Sequence, residues 1–333
     1  MKRIFTLCIF AILLVVGACT IPPEQKSVDD MPRNTSGTKY FLYGVWGNSS
    51  SDIFAGGFSG SILHYDGKTW DNMTSGTTNA IYDLWGESSS DVFAVGRSGT
   101  IIHYDGEAWS AMTSGTIQNL YGIWGESSSD VFALGSGGTI LNYDGETWYA
   151  MKSGNADALY YVWGSSSSNV FAVGFNGTIL HYDGKAWGVM ASGTENDLYG
   201  IWGSSSSNVF AVGANGTILN YDGEAWYAMT SGTINSLYCI WGNSSSDVFA
   251  VGFNGTILHY DGDTWDAMVS GTTKALYYIW SSSSSDVFAV GGGGMAQQHG
   301  GIILHYDGKS WSVITSEIIR NFYFSLKQGQ RLL

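Results

Sequence analysis

The chain of 333 residues is acidic and rich in aromatic side chains, with 44% hydrophobic residues, 15% aromatic residues and a formal net charge of −14. This apolar content is enough for a large buried core, so a disordered chain is excluded as the default. A strongly acidic surface repels phosphate backbones, and we therefore expect no nucleic-acid partner.

The first residues have the layout of an export signal. Lys2 and Arg3 precede an apolar run at 4–16 and then small residues, which is typical of a secretory signal peptide and too short for a membrane span of about 20 residues. The sequence Val16-Gly17-Ala18-Cys19 resembles the bacterial lipobox. This resemblance implies a signal peptide at 1–18 and lipidation of Cys19. We expect a membrane-anchored, extracytoplasmic lipoprotein of the outer membrane or cell surface.

The polar segment that follows, residues 19–40, contains every proline of the chain. It cannot bury apolar area, and we expect a flexible tether. Of the three cysteines, Cys8 and Cys19 lie in or beside the signal, so no internal disulfide is predicted. Cys239 is expected to be a small, partly buried thiol.

Two series of tryptophans, which together use all 14, mark a repeat. The first has a period of 39 residues: Trp46, Trp85, Trp124, Trp163, Trp202, Trp241 and Trp280. The second is Trp70, Trp109, Trp148, Trp187, Trp226, Trp265 and, after a step of 46 residues, Trp311. A fixed period of this size is typical of stacked or ring-arranged modules. We place seven units at 41–79, 80–118, 119–157, 158–196, 197–235, 236–274 and 275–320.

Each unit contains four short strand signals, which we term a to d, joined by turn residues. Asn-Gly or a related pair lies between b and c, Asp-Gly lies between c and d in every unit, and a serine run lies between a and b. Asn-Gly supplies the positive φ angles that a tight hairpin requires, and short polar side chains favour turns. Four-stranded antiparallel meanders are therefore predicted.

Strand b is apolar on both faces, as in Val248-Phe249-Ala250-Val251. A sheet with one face in water would alternate apolar and polar residues, so both faces must be covered by neighbouring units. Seven such units predict an all-β fold, a seven-bladed β-propeller over 41–320. An open solenoid would need atypical polar caps, and the first unit is like the middle ones. Hairpin turns disfavour a parallel β-helix.

The repeated pattern WG-SSSSDVFAVG-GTILHYDG-x-x-W resembles the repeats of bacterial secreted β-propellers, loosely akin to tectonin-type and Asp-box propellers, over about residues 41–316. The resemblance implies the propeller fold. The tail at 321–333 contains a degenerate copy of strand a at 322–326. It either latches over the closure of the ring or is a remnant of a further repeat.

Five histidines occupy one repeat position before Tyr-Asp-Gly: His64, His103, His181, His259 and His305. A metal site and a strand-end hydrogen bond are the two interpretations. Asn142 and Asn220 fill the same position in the other units, which favours the hydrogen bond, and one carboxylate per Asp-Gly turn is too few for calcium. We predict no metal, no cofactor and no catalytic residue, because a catalytic site should break the repeat symmetry.

The loops differ between the two ends of the predicted ring. The a–b and c–d turns form one face, termed here the turn face, and are nearly invariant. The b–c turns and d–a connections form the other face, termed the tip face, and vary from unit to unit, with an expanded seventh tip at 292–300. Variable loops on a rigid scaffold are where binding surfaces are found. The predicted ligand-binding residues are Phe58, Arg97, Phe175, Phe253, Met295, Gln297, Gln298 and His299.

These features predict a monomeric, non-catalytic binding or scaffold module that takes a protein or carbohydrate at the tip face. Relaxed drift of solvent-facing turns, with each phenylalanine lying back on its own hairpin, is the alternative interpretation of the variable tips. Two other functions stay open: a secreted propeller-type glycoside hydrolase, by analogy of fold, and an assembly factor for an envelope complex. One variable position of strand a, which holds Asp83 and Cys239 among others, either faces the central channel or adjusts packing, and packing is favoured.

Overall fold

A computed structural model of the chain describes residues 42–49, 51–292 and 301–313. It contains seven antiparallel sheets of four strands each, and within every sheet the strands are hydrogen-bonded in sequence order. The inner strand of each sheet contacts the inner strand of the next, and the first and seventh inner strands also touch. The sheets therefore form a closed ring, and the predicted seven-bladed β-propeller is confirmed.

The first four blades have the following strands. Blade 1 holds β1 (Leu42–Ser49), β2 (Asp52–Gly57), β3 (Ile62–Tyr65) and β4 (Trp70–Met73). Blade 2 holds β5 (Ile81–Ser88), β6 (Asp91–Gly96), β7 (Ile101–Tyr104) and β8 (Trp109–Met112). Blade 3 holds β9 (Leu120–Ser127), β10 (Asp130–Gly135), β11 (Ile140–Tyr143) and β12 (Trp148–Met151). Blade 4 holds β13 (Leu159–Ser166), β14 (Asn169–Gly174), β15 (Ile179–Tyr182) and β16 (Trp187–Met190).

The last three blades repeat this arrangement. Blade 5 holds β17 (Leu198–Ser205), β18 (Asn208–Gly213), β19 (Ile218–Tyr221) and β20 (Trp226–Met229). Blade 6 holds β21 (Leu237–Ser244), β22 (Asp247–Gly252), β23 (Ile257–Tyr260) and β24 (Trp265–Ala267). Blade 7 holds β25 (Leu276–Ser283), β26 (Asp286–Gly292), β27 (Gly301–Tyr306) and β28 (Trp311–Val313). Gly292, predicted to begin the expanded seventh tip, is the last residue of β26 and pairs with Gly301.

The core lies between the blades rather than within any one of them. Phe93 of β6 is fully buried, and its ring lies 5.6 Å from that of Tyr143 and 6.3 Å, edge-on, from that of Trp148 in the next blade. Edge-to-face aromatic pairs at such distances add stability beyond the area that they bury. Strand b is buried on both faces in blades 2 to 6, as its apolar pattern predicts.

The last blade is less completely covered than the others. In β26, Phe288 and Val290 are only half-buried, whereas the equivalent Phe249 and Val251 of blade 6 are fully buried. These side chains lie on the face of blade 7 that the repeat directs toward blade 1. The degenerate strand predicted in the tail lies outside the described residues.

Each described b–c turn is a short 3-10 turn with one residue in the left-handed region. The six turns are Phe58–Gly60, Arg97–Gly99, Ser136–Gly138, Phe175–Gly177, Ala214–Gly216 and Phe253–Gly255. The central residue has a φ of about +55°, for example +54° at Asn176 and +57° at Asn254. Asparagine tolerates this conformation better than most side chains. The predicted use of Asn-Gly at the tips is confirmed.

Candidate functional site

The tips are fastened to the connections on either side of them. The backbone N–H of Phe253 donates to the carbonyl oxygen of Ser236 at 2.9 Å, in the connection that precedes blade 6. On the other side, a Cβ added at Gly255 would lie 2.0 Å from the carbonyl oxygen of Thr272. Only glycine fits this approach, so the tip is held at fixed height between two loops. Its first side chain is left to project from the tip face.

The first residue of the tip is exposed at four of the predicted ligand-binding positions. Phe58, Phe175 and Phe253 expose 36%, 48% and 43% of their surface, and Arg97 is also exposed. Within the described part of the chain, Arg97 makes no ion pair. The guanidinium and the three rings are therefore accessible to a ligand on this face.

These residues share a face, but they do not form one continuous patch. Phe58 is in blade 1, Phe175 in blade 4 and Phe253 in blade 6, so no two of the rings belong to adjacent blades. A ligand that contacts more than one of them must cross the face of the ring. Met295, Gln297, Gln298 and His299, and the predicted lipidation site Cys19, lie outside the described residues.

Three further apolar side chains on the tip face were not predicted. Ile117 and Ile234 lie in d–a connections with 86% and 88% of their surface exposed, and Val269, at the start of another connection, is 87% exposed. A shallow depression adjoins each isoleucine. The signal was available in the sequence, because both isoleucines follow a Ser-Gly-Thr motif at a position that holds threonine, alanine or glutamate in other units.

Charge is distributed very unevenly between the two faces. In the described residues, the tip face carries three basic and three acidic side chains, a formal balance of zero: Arg97, Lys152, Lys274, Asp157, Glu195 and Asp197. The turn face carries three lysines, Lys68, Lys185 and Lys309, and eighteen carboxylates, a balance of −15. The eighteen are Asp52, Asp66, Glu87, Asp91, Asp105, Glu107, Glu126, Asp130, Asp144, Glu146, Asp183, Asp222, Glu224, Asp247, Asp261, Asp263, Asp286 and Asp307.

The seven Asp-Gly aspartates of the turn face close their own turns. In blade 2, Oδ1 of Asp105 accepts hydrogen bonds from the backbone N–H groups of Ala108 and Glu107, each at 2.9 Å. These donors hold the pKa of Asp105 below its usual range. The same pair of bonds recurs at Asp66, Asp144, Asp183, Asp222, Asp261 and Asp307. Their role in the structure is to form turns.

The repeated histidines hydrogen-bond to the start of strand b, not to the turn that follows them. His103 Nε2 donates to Asp91 Oδ1 at 2.7 Å, and its ring packs 4.4 Å from that of Phe93. Asn142 replaces the histidine in blade 3 and donates from its amide to Asp130 at 2.9 Å. The predicted strand-end hydrogen bond is therefore present, but its partner is the residue that begins strand b and not the following turn. No group of three or more metal-ligating side chains is found among the described residues.

Aromatic side chains line the axis of the ring. The second residue of each inner strand is a tyrosine, and neighbouring rings have centroids 5.6 to 6.2 Å apart from Tyr43 round to Tyr277. One residue further on, Tyr161 and Tyr278 approach each other across the axis with hydroxyls 3.4 Å apart. The ring of tyrosines was not predicted, although its 39-residue period is visible in the sequence.

The variable position of the inner strand, which was expected to adjust packing, is largely buried. Cys239 is a buried free thiol. Asp83 is also buried, and burial raises the pKa of its carboxyl to about 7. Its two oxygens accept hydrogen bonds from the backbone N–H groups of Leu84 at 3.0 Å and of Ile123, in the next blade, at 3.1 Å. Asp83 joins two inner strands and is closed off from a ligand.

Three solved structures share this architecture. "YCF48 bound to D1 peptide" has a TM-score of 0.66 and 17% identity, covering 88% of this chain and 97% of its own. "YCF48 from Cyanidioschyzon merolae" has a TM-score of 0.64 and 15% identity, covering 81% and 96%. The WD40 β-propeller domain of Doa1 has a TM-score of 0.63 and 13% identity, covering 76% and 90%.

The likeness is one of fold. At these identities it extends to the propeller architecture and not to activity or ligand. No family model and no curated protein matches the sequence. Among the described residues, no helix is long and apolar enough to cross a membrane.

Proposed function

We propose that this chain is a lipid-anchored, extracytoplasmic β-propeller that binds a protein segment at its tip face and acts as a non-catalytic scaffold. The observation that carries the proposal is the contrast between the faces. The turn face repeats one structural unit with its aspartates bonded into turns, whereas the tip face varies and exposes Phe58, Phe175 and Phe253. Exposed aromatic rings on fixed loops are common anchors of binding surfaces.

A protein ligand is favoured over a carbohydrate by the comparison. One of the structures with this fold is that of YCF48 bound to a D1 peptide, so a propeller of this shape can hold a peptide. Arg97, which makes no ion pair with any described residue, adds a donor for a carboxylate or a backbone carbonyl. Carbohydrate binding remains the second arm of the test.

The proposal is tested by screening the immobilised full chain against a displayed peptide library and, in parallel, a glycan array. Peptides that bind are then measured against the variant Phe58→Ala/Phe175→Ala/Phe253→Ala and against Arg97→Ala. We expect the triple variant to weaken binding at least about tenfold, because each truncated anchor costs on the order of 1 kcal/mol or more.

The matched control is Tyr149→Ala/Tyr227→Ala, which removes exposed rings from the outer strands β12 and β20 instead of the tips. This control should bind as the parent does. Peptides that bind the parent and the triple variant equally would refute the tip-face site. Hits confined to the glycan array would replace the protein ligand with a carbohydrate, and turnover of a glycoside would refute the non-catalytic role.

A further inference from the structure

The tip face combines exposed apolar loops with an absence of net charge, and we propose that it lies directly against a lipid bilayer. This contact goes beyond the proposed function, and one of its arguments rests on the lipid anchor proposed there. The loops assigned to lipid are the d–a connections, which carry Ile117, Ile234 and Val269, whereas the assigned peptide anchors are on the b–c tips.

Exposed apolar side chains favour one end of the ring. Phe58, Ile117, Phe175, Ile234, Phe253 and Val269 are all on the tip face. The other large apolar residues that are exposed in the described part of the chain lie on the outer strands or at their ends, and none lies in a turn of the turn face. Isolated exposed apolar residues are normal, but the three most exposed ones, Ile117, Ile234 and Val269, share one face, which is a feature of surfaces that meet an apolar phase.

The charge distribution selects the same face. Membranes with anionic lipids attract basic groups and repel carboxylates within about one Debye length, roughly 8–10 Å. With a formal balance of −15 among the described residues, the turn face is repelled by such a surface, whereas the tip face has a balance of zero. The dipolar arrangement therefore orients the propeller with its tip face toward lipid and its turn face away.

The course of the chain agrees with this orientation. Leu42, the first residue of β1, pairs with Gly57, which immediately precedes the tip Phe58–Gly60. The described chain thus begins at the tip face, and the predicted lipidation site precedes it in the sequence. An anchor there would bring the same loops close to the bilayer, where apolar side chains insert about 5–10 Å into the headgroup boundary.

The experiment places an environment-sensitive fluorophore on single introduced cysteines in the full chain. Ile234→Cys reports on the tip face and Asp263→Cys on the turn face. Val189→Cys reports on the rim, by which we mean the outer strands of the blades, where the native side chain is apolar and 70% exposed. Cys239 is buried, and the parent chain measures any background labelling. The probe is a vesicle of equal parts phosphatidylethanolamine and phosphatidylglycerol that contains a spin-labelled lipid.

We expect blue-shifted emission and quenching by the spin label at Ile234→Cys, and neither at Asp263→Cys or Val189→Cys. In a second variant the fluorophore is attached at Thr273→Cys, another position of the tip face, because Ile234 is itself replaced. This variant also carries Ile117→Glu/Ile234→Glu/Val269→Glu. Because carboxylates on these loops oppose insertion, quenching should fall to the turn-face level. Val189→Glu, the matched control on the rim, should leave it unchanged.

Four results would overturn the inference. The first is equal quenching at both faces, and the second is quenching that survives the three glutamates. The third is a tip face that becomes shielded only when a protein extract is added, which would assign the loops to a protein partner instead. A chain that stays on the vesicle without any tip-face quenching would refute the bilayer contact while leaving the predicted anchor intact. The peptide screen uses no lipid, so its outcome is independent.

Discussion

Asp83→Asn removes a buried charge from the inner ring while keeping the shape of the side chain. Asp83 bonds the N–H groups of Leu84 and Ile123, and within the described residues no basic side chain forms an ion pair with it. Burial disfavours the charged form more than the two hydrogen bonds favour it, and the pKa of the carboxyl rises from 3.8 to about 7. The folded chain therefore holds a proton at this site more tightly than the unfolded chain does.

The magnitude follows from linkage. Below about pH 4 the carboxyl is protonated in both states, and above about pH 7 it is ionised in both, so that the folded state bears the full cost of the buried charge. A shift of about three pKa units at about 1.4 kcal/mol each lowers the free energy of unfolding by about 4 kcal/mol above pH 7. As the pH falls from 7 to 4, this cost is relieved by about 1.4 kcal/mol per pH unit, so this group makes the fold more stable toward acid.

Asparagine does not titrate, but it keeps only one acceptor oxygen and places an NH2 group opposite one of the two N–H donors, which should cost about 1–3 kcal/mol at every pH. We expect the stability of Asp83→Asn relative to the parent to rise by about 4 kcal/mol between pH 4 and pH 9, so that the variant is less stable near pH 4 and more stable at pH 9. Urea unfolding across this pH range measures the difference, and Asp263→Asn, at an exposed carboxylate of the turn face, is the control. A difference that does not change between pH 5 and pH 9, or a less stable variant at pH 9, would refute the reasoning.

Two other predictions concern repeated features. His103→Asn should leave the urea midpoint nearly unchanged, because Asn142 makes the equivalent bond in blade 3. Asp91→Ala leaves His103 without its acceptor and should lower the free energy of unfolding by about 1–3 kcal/mol. Equal losses in the two variants would contradict this pairing. Asn254→Val should cost about 1–3 kcal/mol because its φ is +57°, where a β-branched side chain is strained. Asn254→Gly should be at least neutral in thermal unfolding, and a valine variant of equal stability would show that the turn is not strained.

Local chemistry was sufficient to predict the blades. The tryptophan period set the size of the repeat, and turn residues such as Asn254 and Asp105 predicted where each strand reverses. Both residues act within their own turns, through a positive φ in one case and bonds to N–H groups two and three residues ahead in the other. Interactions of such short range can be predicted from a sequence. Burial of strand b on both faces could also be predicted, because apolar and polar residues do not alternate along it.

The candidate site was predicted only in part. The sequence left open whether Phe58, Phe175 and Phe253 project from the tips or lie back on their own hairpins, and the structure shows all three exposed. The three phenylalanines belong to the first, fourth and sixth repeats, so their separation could have been predicted from the sequence. The expected aromatic patch is therefore divided among three separate blades of the ring. Ile117 and Ile234 were missed because the connections were compared for variability and not for exposed apolar residues.

Sequence alone determined the repeat, the turns and hence the number of blades, because each depends on residues that are neighbours in the chain. Ring closure decided the rest. It brought Tyr161 within 3.4 Å of Tyr278 across the axis, buried Asp83 against the strand of the next blade, and gathered the carboxylates on one face. These contacts join residues 40 or more positions apart, and their free energies depend on distance and burial, which exist only once the blades are assembled.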